Sequence, residues 1–163
     1  MCIRDSSGHW AAAATLGLWS PSASALPNPY AELSPDSSAS DTITLRYSQD
    51  ANENNVVDDN EQVGFRLRNG ALEAQLGQSN WQALTDASIL VVTRFLVQPR
   101  VESVALDGAC SCAAGTSCTA PQAQVRSIDI EISGRASGDA SVTRTVRSTV
   151  RVRNDNLRGG CNA

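Results

Sequence analysis

The chain has 163 residues, room for one domain and a tail, and its 41% hydrophobic and 18% charged content can fill one core without being a disordered polyelectrolyte. Its 13 basic residues against 17 acidic ones give a net charge of −4, which is no electrostatic footprint for a nucleic-acid backbone, and every basic residue is Arg, so a Schiff-base lysine and a phosphate-loop lysine are excluded. His9 is the one histidine, which leaves almost nothing for a Ser-His-Asp or Cys-His machine or a multi-histidine metal site, and the chain reads as not an enzyme.

The start, Met1-Cys2-Ile3-Arg4-Asp5-Ser6, has neither the basic nor the apolar region of a secretory signal and reads as a non-native beginning. The apolar stretch from Trp10 to Trp19 is well short of the roughly 20 residues that span a bilayer. Pro21, Pro27, Pro29 and Pro35 among Ser and Ala make a flexible segment, so the chain divides into residues 1–40 and a head domain over 41–163. In that head, Ile43, Leu45 and Tyr47 alternate with Thr44, Arg46 and Ser48, the period of a half-buried strand.

The strongest local signal follows. Val63, Phe65 and Leu67 alternate with Gly64, Arg66 and Arg68, then come Asn69-Gly70 and a second run from Ala71 to Leu76. Asn-Gly favours a two-residue type I′ turn, and that turn sets Leu67 against Leu72, Phe65 against Ala74 and Val63 against Leu76. Trp81 is expected to cap this hairpin. Ile89 to Val97, apolar on both faces and rich in β-branched residues, predicts a central strand that Val101 to Leu106 extends. Ile128, Ile130 and Ile132 alternate with Asp129, Glu131 and Ser133; after a Gly/Ser turn, Val142, Val146, Val150 and Val152 share one face and Arg147, Arg151 and Arg153 the other. The reading is mainly an antiparallel β-sheet with one wet face and no amphipathic helix, whose apolar face has no cover in the chain.

Five cysteines stand at positions 2, 110, 112, 118 and 161. The spacing of Cys110, Cys112, Cys118 and Cys161 fits zinc knuckles poorly and fits disulfides in an oxidising compartment. Of three pairings, we favour Cys112–Cys118 as a small loop with Cys110–Cys161 as a clamp on the C-terminus. Before the hairpin, Asp50-Ala-Asn52-Glu-Asn54-Asn55-Val56-Val57-Asp58-Asp59-Asn60-Glu61 follows the calcium-loop pattern. Asp50, Asn52, Asn54, Asp58 and Glu61 offer side-chain oxygens and Val56 its carbonyl, while Asn55 replaces the usual Gly. The competing reading is a solvated polar turn. Asp58 and Asp59 could serve acid/base chemistry, but nothing in the sequence sets a nucleophile beside them. The Arg face of the last strand reads as a solvated edge.

Three places carry a family resemblance: Ser40 to Tyr47, the acidic run into Glu61-Gln62-Val63-Gly64-Phe65-Arg66-Leu67, and the ending from Arg147 through Val150-Arg151-Val152-Arg153-Asn154-Asp155. Over about residues 40–157 they resemble the globular part of PilW-type minor pilins, within the type IV pilin and type II secretion pseudopilin superfamily. The resemblance implies an α+β pilin-like fold whose leader and N-terminal apolar helix are missing from this chain. It also implies a structural subunit in pilus assembly or secretion, periplasmic, anchored in the inner membrane or on the cell surface, with other pilin subunits as partners and no nucleic acid. Calcium sites occur in relatives, so Ca2+ is the expected cofactor. The alternative is a secreted calcium-binding or adhesive β-module outside any pilus, with a sheet covered by its own residues.

Overall fold

Alternating runs separated by Gly, Asn and Ser turns become strands here because each strand can bury one row of side chains against a second layer. The computed structural model describes residues 2–4, 10–12, 29–48, 56–106 and 121–159. Cys2–Arg4 (β1) and Trp10–Ala12 (β2) form a small antiparallel pair. A 3-10 turn over Pro29–Ala31 (η1) leads into β3 (Leu33–Ser34) and β4 (Thr42–Arg46). A second 3-10 turn over Asp59–Glu61 (η2) precedes β5 (Gln62–Arg68), β6 (Ala71–Leu76) and β7 (Trp81–Ala83). Three long strands close the chain: β8 (Leu90–Ala105), β9 (Gln122–Ala136) and β10 (Thr143–Arg158).

β3 to β7 form a five-stranded meander in sequence order, and β8 to β10 a three-stranded one. The two sheets share a core in which Leu33 and Ile43 from the first meet Phe95, Val97 and Ile128 from the second. Leu45, Phe65, Leu67 and Leu72 on one side and Ile130, Ile132 and Val152 on the other pack around it. The missing cover of the sequence reading is therefore the chain's own other sheet. Residues 29–40 join the same body, since Tyr30 and Leu33 are buried and Ser40 exchanges backbone hydrogen bonds of 2.9 and 3.0 Å with Val97.

The α+β class implied by the resemblance is overturned. Among the described residues the fold is antiparallel sheet, no helix reaches seven residues, and η1 and η2 have three residues each. No helix among them is long and apolar enough to cross a membrane. The Asn-Gly hairpin, by contrast, takes the expected form: Asn69 and Gly70 have φ of 52° and 75°, and the register pairs Leu67 with Leu72, Phe65 with Ala74 and Val63 with Leu76. β8 departs from its reading as a central strand. It runs unbroken through Val101, but β9 holds the centre of its sheet, and Pro99, which has no N–H to donate, suits a flank. Its apolar pattern looks two-sided because the register shift between Val92 and Arg94 switches the alternation, bringing Leu90 and Val92 onto the same face as Phe95 and Val97, toward the five-stranded sheet.

Candidate functional site

Two places in the fold concentrate charged side chains. The first is the acidic turn between β4 and β5. Asp50, Asn52 and Asn54 of the calcium-loop pattern lie outside the described residues, so the structure places Val56, Asp58 and Glu61. The Tyr30 hydroxyl donates to the Val56 carbonyl at 3.0 Å, and Asp58 sits extended at the N-terminus of η2. Glu61 is fully buried, and its Oε2 accepts the Asp58 N–H at 2.9 Å, closing the first turn of η2 as a capping carboxylate does. Its backbone is held as well: Tyr47 N–H donates to the Glu61 carbonyl at 3.0 Å. On the other side Gly77, at φ 79°, lets the chain pass so close that a Cβ would stand 3.0 Å from the Asp59 carbonyl.

Val56, Asp58 and Glu61 thus belong to one pinned turn, joined to η1, to the residue after β4 and to the chain after β6. Two of the expected ligand oxygens, the Val56 carbonyl and Glu61 Oε2, accept protein hydrogen bonds, while Asp58 and Asp59 are exposed. Among the described residues no group of three or more His, Cys, Asp or Glu is gathered to hold a metal.

The second place is the outer face of β8–β10, where the sequence reading saw a solvated Arg edge and missed the partners. The β9–β10 register sets Glu131 opposite Arg147 and Asp129 opposite Thr149, while β8 brings Arg94 and Arg100 from the other flank. Glu131 takes Arg147 and Arg94, each at 2.9 Å, and Asp129 takes Arg100 at 2.5 Å and the Thr149 hydroxyl at 2.7 Å. A shallow groove of about 450 Å³ runs along this face between Gln98, Asp129, Glu131, Arg147 and Thr149. The alternation Ile-Asp-Ile-Glu-Ile followed by a short turn and Arg-Ser-Thr-Val-Arg held this information, because a tight turn brings carboxylate and guanidinium onto one face.

These partners hold both carboxyls below their ordinary range. The Thr149 hydroxyl and then Arg100 depress Asp129, and hydrogen bonding from Arg147 depresses Glu131. A folded-state value below the unfolded one contributes stability above the unfolded pKa, and that stability is lost as pH falls through the folded value. The melting temperature should therefore hold from neutral pH down to about 4, the ordinary carboxylate range, and fall below it. In the Asp129→Asn, Glu131→Gln double variant the acid-side slope should be shallower; an identical slope would remove these carboxylates from the account. The effect is small because the face is open to water and salt.

Trp81, expected to cap the hairpin, lies half-buried beside it on β7. It pairs with Gln75 across the sheet, and the Arg66 guanidinium lies 4.0 Å from its ring centre, with Arg66 also held by Glu73 at 2.7 Å. Cys110, Cys112, Cys118 and Cys161 lie outside the described residues. Their neighbours are informative: Ala105 at the end of β8 and Arg158 at the end of β10 are both in register with Gln122 of β9. The segments that carry Cys110 to Cys118 and Cys161 therefore leave the sheet at the same end.

No curated protein and no solved structure matches the chain. The family model described as prepilin peptidase-dependent protein B matches residues 8–152, most of the chain and nearly all of both sheets, in agreement with the sequence resemblance at the level of pilin-related proteins. The chain belongs to the prepilin peptidase-dependent protein B family.

Proposed function

We propose that this chain is a structural subunit of the PilW type, a minor pilin or pseudopilin that serves type IV pilus assembly or type II secretion through contacts with other pilin subunits. The observation that carries the reading is the family match over residues 8–152. The β head supports it in kind: the carboxylates of its charged face are held ionised between arginines, as suits a recognition or structural surface better than general acid catalysis. The working location is the periplasm or cell surface, with an inner-membrane anchor. In that oxidising compartment Cys112–Cys118 and Cys110–Cys161 form disulfides, which the common exit of their two segments from the sheet allows.

The test uses the protein in its host. An antibody against the head should detect a precursor that shortens only when prepilin peptidase is active, and the mature form should appear in the membrane or sheared-pilus fraction. A chain of the same length with and without the peptidase would overturn the assignment. A specific observation favours a second reading, a secreted calcium-binding or adhesive β-module: the sheets cover one another, as a free module requires. That reading predicts release into the medium independent of the peptidase.

Calcium belongs to either reading, with Asp50, Asn52, Asn54, Asp58, Glu61 and the Val56 carbonyl as its ligands. Binding to the folded state at a hundredfold excess over Kd adds about 2.7 kcal/mol, so EDTA should lower the melting temperature by roughly 5–10 °C and Asp58→Ala should abolish the difference. A melt unchanged by EDTA removes the ion.

A further inference from the structure

Among the described residues no strand pairs with the outward edge of β10: the sheet order is β10-β9-β8, β1 approaches β10 without joining its sheet, and residues 143–151 are all exposed. Natural sheets blunt such an edge with charge or a bulge. Here the bulge comes late, after Val152, and the strand keeps one unbroken register from Thr143 to Val152. Its arginines each hold a neighbour while staying largely exposed: Arg147 with Glu131, Arg151 with Asp155 at 2.7 Å, and Arg144 with the Thr143 carbonyl at 2.8 Å. Between them along the edge lie Thr, Ser and two exposed valines, Val146 at 64% and Val150 at 42% exposure.

The hydrogen-bond phase of the edge follows from the turn. Ala136 N–H donates to the Val142 carbonyl at 3.0 Å, one step beyond the Thr143–Arg135 pair, so even-numbered residues of β10 bond to β9. Odd-numbered residues, from Thr143 to Arg151, turn their N–H and C=O groups outward. A second antiparallel copy of the same strand, related by a two-fold axis through Ser148, meets this phase. Thr145 then exchanges bonds with Arg151 of the other copy and Arg147 with Thr149, while Val146 lies against Val150 on the shared apolar face. No arginine opposes another. An axis through Arg147 would set that residue against itself, and one through Thr149 would set Arg147 against Arg151. An axis through Val146 also avoids this conflict, but it pairs strand residues 143–149 only, against 144–152 for the axis through Ser148.

We propose that two copies of this chain associate edge to edge through β10, in the register centred on Ser148, giving a continuous six-stranded sheet with Val146 and Val150 of both copies as its central apolar seam. The inference does not rest on the pilus reading. A strand ladder of this length buries less surface than a permanent dimer interface, so association is weak and reversible and is sought at about 0.1 mM chain.

The experiment is sedimentation of the whole chain across concentration, joined to cysteine trapping. Ser148 faces its own copy at a non-hydrogen-bonded position, where opposed Cα atoms stand about 4.5 Å apart, within disulfide reach. Under mild oxidation Ser148→Cys should cross-link, and trypsin should release peptide 148–151 joined to itself, a product that can form only between two chains. Val146→Cys, opposite Val150, should give no self-joined peptide. Thr145→Glu, brought against Arg151 twice in the symmetric pair, should tighten association roughly tenfold, and Thr145→Arg should loosen it by a similar factor. These positions are exposed, so each variant should fold with the parent's circular dichroism spectrum. A monomer at every concentration without the Ser148→Cys product, a dimer indifferent to both Thr145 variants, or self-joining at Val146→Cys in place of Ser148→Cys would overturn the proposal.

Discussion

Phe95→Ala should cost about 3–5 kcal/mol, the range for truncating a buried aromatic. Phe95 is 5% exposed and sits with Leu33, Ile43, Val97 and Ile128 where the two sheets meet, so the cavity opens at the join between layers and neither sheet alone can close it. Against a total stability of about 5–15 kcal/mol that is a large fraction, and the melting temperature should drop by roughly 10 °C. Val146→Ala is the control. It lies on the same face of the same sheet, opposite Ile132, the residue that also pairs with Phe95, yet it is 64% exposed and should change stability by less than about 0.5 kcal/mol in the dilute monomer. Chemical denaturation of both variants decides the matter: equal costs would mean that the five-stranded sheet does not lie where it is placed over β8 and β9.

Arg126→Met should be the second large loss, about 3 kcal/mol. Arg126 is 7% exposed and its guanidinium donates to the Ala31 carbonyl, tying η1 to the long sheet. Burial lowers its pKa and the charge of Asp155 opposes that shift, so the two groups are electrostatically coupled. Methionine matches the chain length but removes the charge, leaving Asp155 with Arg151 for company and the Ala31 carbonyl without its donor. The Arg126→Met, Asp155→Asn double variant should lose less than the two single variants together, because neutralising Asp155 removes the charge that Arg126 had offset. Strict additivity in urea unfolding would show that the two groups do not act on each other.

Side-chain period and turn chemistry are local properties, and where they act alone the sequence determined the outcome. The Asn69-Gly70 turn fixed the β5–β6 register to the residue because two positive φ angles admit few other connections. The alternating isoleucines of β9 and valines of β10 marked their faces correctly, and the exclusions drawn from the absence of lysine and the lone histidine follow from composition alone. That the chain is pilin-related was also legible, in the short motifs between Ser40 and Asp155, while the narrower PilW-type assignment goes beyond the family match. The fold class was not, because the α+β expectation came from the family's architecture and not from this chain's own pattern, in which no helical period appears.

Tertiary structure decided the rest, because pairing between layers depends on residues far apart in the chain. That β8 flanks its sheet, that one meander covers the other, and that Arg94 and Arg100 reach across to Glu131 and Asp129 are relations between segments tens of residues apart, which no window of local periodicity contains. The same holds for the acidic turn: the run of oxygens could be read in order, but the burial of Glu61 and its hydrogen bond to Asp58 depend on how the turn packs against Tyr30, Tyr47 and Gly77. A sequence states which groups a segment offers; only the folded chain states which of them another segment has already taken.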